Sequence, residues 1–103
     1  MQKLIERKMY NTETAEFIIA YSNNGSFLDF SHFEEALYRT KKGQFFLAGE
    51  GGPMTKYAEQ YGSITSGSSN IFLFSDDEAI DWLHQYQFTV VLEKYFPDAI
   101  TEG

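Results

Sequence analysis

Four consecutive residues, Ser75-Asp-Asp-Glu78, constrain the fold of this chain more than any other segment. Ser followed three residues later by Glu is a capping box. The hydroxyl accepts from the amide three residues on, and the Glu carboxylate reaches back to the Ser amide. Asp76 and Asp77 add negative charge at the positive end of the helix dipole. Beyond them Ala79, Ile80 and Leu83, with part of Trp82, recur at helical spacing and predict a helix from 76 to about 86. A second short helix is expected over about 89–96, burying Phe88, Val91, Leu92, Tyr95 and Phe96, with Pro97 as its stop.

Upstream the period changes. Glu35–Thr40 and Gln44–Ala48 read as two strands joined by Lys41-Lys-Gly43, with Gly43 at a position needing positive φ. Leu37 and Arg39 should face away from Ala36 and Tyr38. Gln44-Phe-Phe-Leu-Ala48 is apolar on both faces, as a central strand must be. Ile71–Phe74 supplies another strand, and residues 3–10 a short, weakly alternating one. Asn11 reads as an N-cap with Glu13 in the first turn. Ala15, Ile18 and Ile19, flanked by Phe17 and Tyr21, then predict a helix over 12–22 that Asn23-Asn24-Gly25 would stop. Residues 26–33 read as an ordered loop, Gly49–Pro53 as a strand exit, 55–61 as a short helix packing Tyr57, Ala58 and Tyr61, and 62–70 as a mobile Gly/Ser loop. The expectation is one α+β domain spanning 1–103. It has an antiparallel sheet of three to four strands, the hairpin at about 35–48 in its middle, and three to four helices packed mainly on one face.

A chain of 103 residues has a modest core, which 17% aromatic content reinforces. With no cysteine, disulfides and thiolate zinc sites are excluded. The longest apolar run, Ile71–Phe74, is far short of a membrane span, and no secretory leader is legible in the first ten residues. A cytoplasmic location in a bacterial host is expected. The net charge of −7 disfavours direct nucleic-acid binding without a local basic patch, and the basic residues fall mainly into two short groups, Lys3/Arg7/Lys8 and Arg39/Lys41/Lys42.

No catalytic constellation is legible. Ser66, Ser68 and Ser69 lie in no nucleophile elbow, and a flexible loop explains them. His32 and His84 lack ligand spacing and read as surface or capping residues, so no metal and no cofactor is expected. Gly51 and Gly52, with Lys56 close behind, are an anion-site candidate, a nest of amides beside a cation. A tight strand exit explains the same glycines. Asp76, Asp77 and Glu78 are accounted for by capping. Asp29, Glu34, Glu35 and Asp81 have no such task, and form either a solvated face or an acidic patch aimed at a basic partner.

Several segments together carry a resemblance. They are Tyr10-Asn-Thr-Glu-Thr-Ala-Glu16, Glu35-Ala-Leu-Tyr-Arg-Thr-Lys-Lys-Gly-Gln-Phe-Phe-Leu47, Gly49-Glu-Gly-Gly-Pro-Met-Thr-Lys-Tyr-Ala58, Ser75-Asp-Asp-Glu-Ala-Ile-Asp-Trp-Leu83 and Glu93-Lys-Tyr-Phe-Pro97. Over nearly its whole length the chain resembles a family of small proteins of bacteria, phages, plasmids and integrative elements that has no assigned enzymatic activity. The resemblance, with the acidic composition, implies a non-enzymatic inhibitor of the anti-CRISPR or anti-restriction kind. Its acidic surface would block a defence protein that binds nucleic acid. Two alternatives stay open: a host-encoded interaction protein without charge mimicry, and a small anion-binding module.

Overall fold

A computed structural model describes residues 1–23 and 29–103. The chain runs β1 (Gln2–Ile5), β2 (Lys8–Asn11), β3 (Glu16–Ser22), β4 (Phe33–Arg39), β5 (Phe45–Gly51), β6 (Glu59–Tyr61), β7 (Ile64–Ser66), β8 (Ser68–Phe74), α1 (Asp76–Gln85), α2 (Thr89–Tyr95) and a 3₁₀ turn, Pro97–Ala99. The class is α+β. Four antiparallel strands in the order β3-β4-β5-β8 form the sheet, beside two small hairpins, β1-β2 and β6-β7. Among the described residues there are two α-helices, where three to four were expected.

The β4–β5 hairpin is the centre of the molecule. Gly43 has φ +90° in the connecting turn, and the Thr40 hydroxyl accepts the Gln44 amide at 3.1 Å. β5 is paired on both edges, by β4 and β8, and packed on both faces, so Phe45, Phe46, Leu47, Ala48 and Gly49 are all buried. On one face Leu37, Phe45 and Leu47 pack against Ala79, Trp82 and Leu83 of α1 and Leu92 of α2. On the other, Phe46, Ala48 and Ile71 pack against Tyr10 of the N-terminal hairpin. α1 starts as its sequence dictates: the Glu78 amide donates to the Ser75 hydroxyl at 3.1 Å, and the Ser75 amide to the Glu78 carboxylate at 2.9 Å.

Four local expectations are corrected. The segment expected as a helix over 12–22 is one turn followed by strand β3. Asn11 does cap the turn, its side chain accepting the Glu13 amide at 2.9 Å, but the turn ends at Ala15. β3 carries a bulge between Phe17 and Ile19, and Ile18, Ile19 and Tyr21 all pack on the helical core. A bulge puts neighbouring side chains on the same face, and so imitated helical spacing. The aromatic and β-branched content of the segment favours a strand. The proposed stop at 23–25 and the loop at 26–28 lie, except for Asn23, outside the described residues.

The single strand expected at 3–10 is the hairpin β1–β2, turned by Glu6 and Arg7 at φ 51° and 68°. Residues 55–61 form turns and β6 in place of a helix. The Thr55 hydroxyl donates to the Gly52 carbonyl and accepts the Tyr57 amide, which diverts the backbone from a helical ladder. The 62–70 segment is strand β7 and the first part of β8, with Ser68 to Asn70 paired to Gly51 to Gly49.

Candidate functional site

Register fixes which residues share a face, because directly opposed residues in adjacent strands point the same way. On the face away from the helices, Ser22, Glu34, Glu50 and Ser69 form a row across all four strands at one end of the sheet. Glu34 and Glu50 are opposed and both exposed. Like charges so placed destabilise a strand pair. His32 Nε2 lies 3.6 Å from Glu34 Oε1, and its Nδ1 side meets Asn23 Oδ1 at 3.1 Å. Asp29 joins this end. Together with His32, Glu50 and the Gly51–Gly52 and Gly67–Ser69 backbone it borders a shallow hollow of about 390 Å³. Asp29 Oδ1 accepts the Ser31 amide and hydroxyl at 2.9 and 2.7 Å, and these bonds hold its carboxyl below the usual carboxylate range.

The next row on this face is Ala20, Ala36, Ala48 and Ile71. The β1–β2 hairpin covers the Ala48 and Ile71 half. On the other half Ala20 is exposed and Ala36 half-buried, beside Phe17, which is 56% exposed and makes edge contact with Tyr38.

Glu35 is not part of this surface. It was expected to face a partner, but it is 2% exposed and points the opposite way, toward the helices. Strand alternation is the cause: Glu35 shares its face with Leu37, one register step from exposed Glu34. The Trp82 indole N–H donates to Glu35 Oε1 at 3.0 Å, the Tyr57 hydroxyl donates to Oε2 at 2.6 Å, and Lys56 Nζ lies 2.5 Å from Oε2. The Tyr57 ring can reach Glu35 because Gly49 lies beneath it. A Cβ at Gly49 would stand 2.0 Å from the Tyr57 hydroxyl. Burial, then the hydrogen bond and charge of Glu35, push the Tyr57 phenol far above its ordinary value. Burying a carboxylate costs several kcal/mol unless donors surround it. Here three do, and they tie the 52–58 segment and α1 to the sheet. The arrangement is structural: a polar pin through an apolar layer.

The anion candidate loses its components to the same architecture. Lys56 is paired with Glu35, the Gly52 amide donates to the His32 carbonyl at 2.9 Å, and Gly51 is a paired residue of β5. Ser68 donates its hydroxyl to the Tyr57 carbonyl at 2.5 Å and so serves the fold. Asp81 is exposed on α1, on the opposite side of the sheet from Glu34 and Glu50. The structure therefore brings together Asp29 and Glu34, adds Glu50, and separates Glu35 and Asp81 from them. Glu50 was hidden because the Gly-rich segment after Ala48 read as the end of the strand. Extending the hairpin register two pairs outward from Ala36 and Ala48 reaches it. Among the described residues, no group of three or more His, Asp or Glu side chains converges as a metal site, and no helix is long and apolar enough to cross a membrane.

No family model, curated protein or solved structure matches this chain.

Proposed function

We propose that this chain is a non-enzymatic binding module. It lays the acidic end of its outer sheet face, built from Asp29, Glu34 and Glu50, on the basic surface of a nucleic-acid-binding protein and blocks it. In the mobile-element reading the blocked protein is a component of bacterial defence. The observation that carries the proposal is the opposed pair Glu34–Glu50. It is exposed, like-charged and costly to the strand pair, so folding does not account for it. A partner rich in Lys and Arg would remove that repulsion on binding and be steered to this end by charge.

A second reading has its own support. Ala20, one row in from the acidic end, and Phe17, two rows in, leave apolar surface uncovered, as an interaction protein without charge mimicry would. One experiment separates the two. Wild type, a Glu34→Gln/Glu50→Gln variant and a Phe17→Ser variant are immobilised and challenged with bacterial lysate, then washed with duplex DNA. The acidic reading expects a protein retained by wild type and Phe17→Ser, displaced by DNA, and lost from the double variant. Retention lost only in Phe17→Ser and indifferent to DNA supports the second reading and overturns the first.

A further inference from the structure

The opposite end of the same sheet carries the opposite charge. Sequence separates the cations into Lys3/Arg7/Lys8 and Arg39/Lys41/Lys42, each too short to matter alone. The fold brings one member of the first group, Lys8, to the second, while Lys3 turns away to donate to Asn70 Oδ1 at 2.7 Å. The β1–β2 hairpin lies across the sheet, and Lys8 reaches the β4–β5 turn, where Lys41 and Lys42 stand. Between them is a cleft of about 680 Å³ that Met9, Tyr10 and Ala15 also line. An adjoining hollow of about 600 Å³ shares Lys41 and Lys42 and adds Arg39 and Glu16. Four cations thus meet one carboxylate, in a protein whose net charge is −7. Glu16 is the register partner of Arg39, whose guanidinium also lies 5.4 Å from the Phe45 ring centroid. Lys8, Lys41 and Lys42 make no ion pair among the described residues.

We propose that this cleft binds a phosphorylated small molecule of nucleotide size, with its phosphates held by Lys8, Lys41 and Lys42. The volume lies in the range of small-molecule sites, roughly 300–1,000 Å³. Lysine ammonium groups act as point charges toward phosphate. The Thr40 hydroxyl, which accepts the Gln44 amide, keeps its own hydrogen to donate. Met9 and Ala15 offer an apolar wall to the non-phosphate part of the ligand.

Scale favours a small ligand over a polynucleotide. From Glu34 to Arg39 the strand rises roughly 17 Å, about twice the Debye length of roughly 8 Å at physiological ionic strength. A ligand confined to the cleft therefore feels mainly the local cations. A nucleic-acid strand would run on over the acidic remainder of the surface and be repelled there.

The test is titration of the ¹⁵N-labelled full chain, followed by amide chemical shifts, with three probes: ATP, inorganic tripolyphosphate and a single-stranded 12-nucleotide DNA. ATP should shift the amides of Lys8, Thr14 and residues 40–44 and leave Glu34, Glu50 and α1 unmoved. Lys41→Gln/Lys42→Gln should weaken ATP at least tenfold, and Lys8→Gln, on a separate element, should weaken it severalfold. ATP tighter than tripolyphosphate, or equal to it, supports the site and tells whether the apolar wall is used. Absent or scattered shifts, affinity unmoved by either variant, or DNA binding tighter than ATP would overturn the proposal.

Discussion

Tyr57→Phe tests the polar pin with a single oxygen atom. The Tyr57 hydroxyl donates at 2.6 Å to the carboxylate of Glu35, which is 2% exposed. A hydrogen bond to a charged group contributes about 1.5–3 kcal/mol net. Glu35 would keep Trp82 and Lys56, so the expected loss is about 2 kcal/mol, or roughly 10 °C in Tm for a domain of this size. Glu35→Ala should cost more, because it orphans two buried donors, the Tyr57 hydroxyl and the Trp82 indole. Lys56→Met should cost least, since the Lys56 side chain is 51% exposed and its attraction is screened by solvent. The assay is urea unfolding followed by tryptophan fluorescence. The chain's one tryptophan is Trp82, which donates to the same carboxylate. The midpoint should fall with the slope unchanged, the signature of lost stability without altered compactness. A Tyr57→Phe loss below about 0.5 kcal/mol, or Lys56→Met costing more than Glu35→Ala, would refute the pin.

Other perturbations check neighbouring parts of the argument. Burial, and then Glu35, raise the Tyr57 phenol above its ordinary value of 10.0, so its contribution is complete below pH 10 and declines as pH climbs above it. Urea midpoints should therefore hold to pH 9 and fall beyond pH 10, and the fall should be shallower in Tyr57→Phe. Ser75→Ala removes the acceptor of the Glu78 amide and should lower stability by about 1 kcal/mol in thermal unfolding. Glu6→Asn/Arg7→Gly places turn-favouring residues at φ 51° and 68° and should raise stability by about 1 kcal/mol; a loss would contradict the β1–β2 turn.

Legibility followed the range of the interaction that decides each element. α1 was readable because Ser75 and Glu78 cap it from within four residues. The β4–β5 hairpin was readable from its turn, and the central place of β5 from apolar residues on both faces. β3 was misread because its bulge sets Ile18 and Ile19 on the same core, a tertiary fact that looks like helical periodicity. The start of β8 was hidden in Ser68, Ser69 and Asn70, whose strand conformation comes from β5 and not from their own propensity. At the site, composition pointed to carboxylates, but only register could sort them. Glu34 and Glu35 are adjacent in sequence, and the pleat sends one to solvent and the other between Tyr57 and Trp82. The union of Lys8 with Lys41 and Lys42 depends on where the N-terminal hairpin docks, which no local pattern encodes.

The central claim is that the acidic sheet end, and not the net charge, binds the partner. The most direct test is the affinity of the captured partner at 0.1 M and 1 M salt for three proteins. These are wild type, Asp29→Asn/Glu34→Gln/Glu50→Gln, and Asp76→Asn/Asp77→Asn, in which the altered carboxylates serve the α1 terminus. Raising salt over this range shrinks the Debye length from about 10 Å to about 3 Å. The account predicts that wild-type affinity falls steeply with salt, that the triple variant loses at least tenfold at 0.1 M while remaining folded, and that the α1 variant changes much less. Equal losses in the two variants would mean that charge acts without location, and affinity indifferent to both salt and the triple substitution would contradict the claim outright.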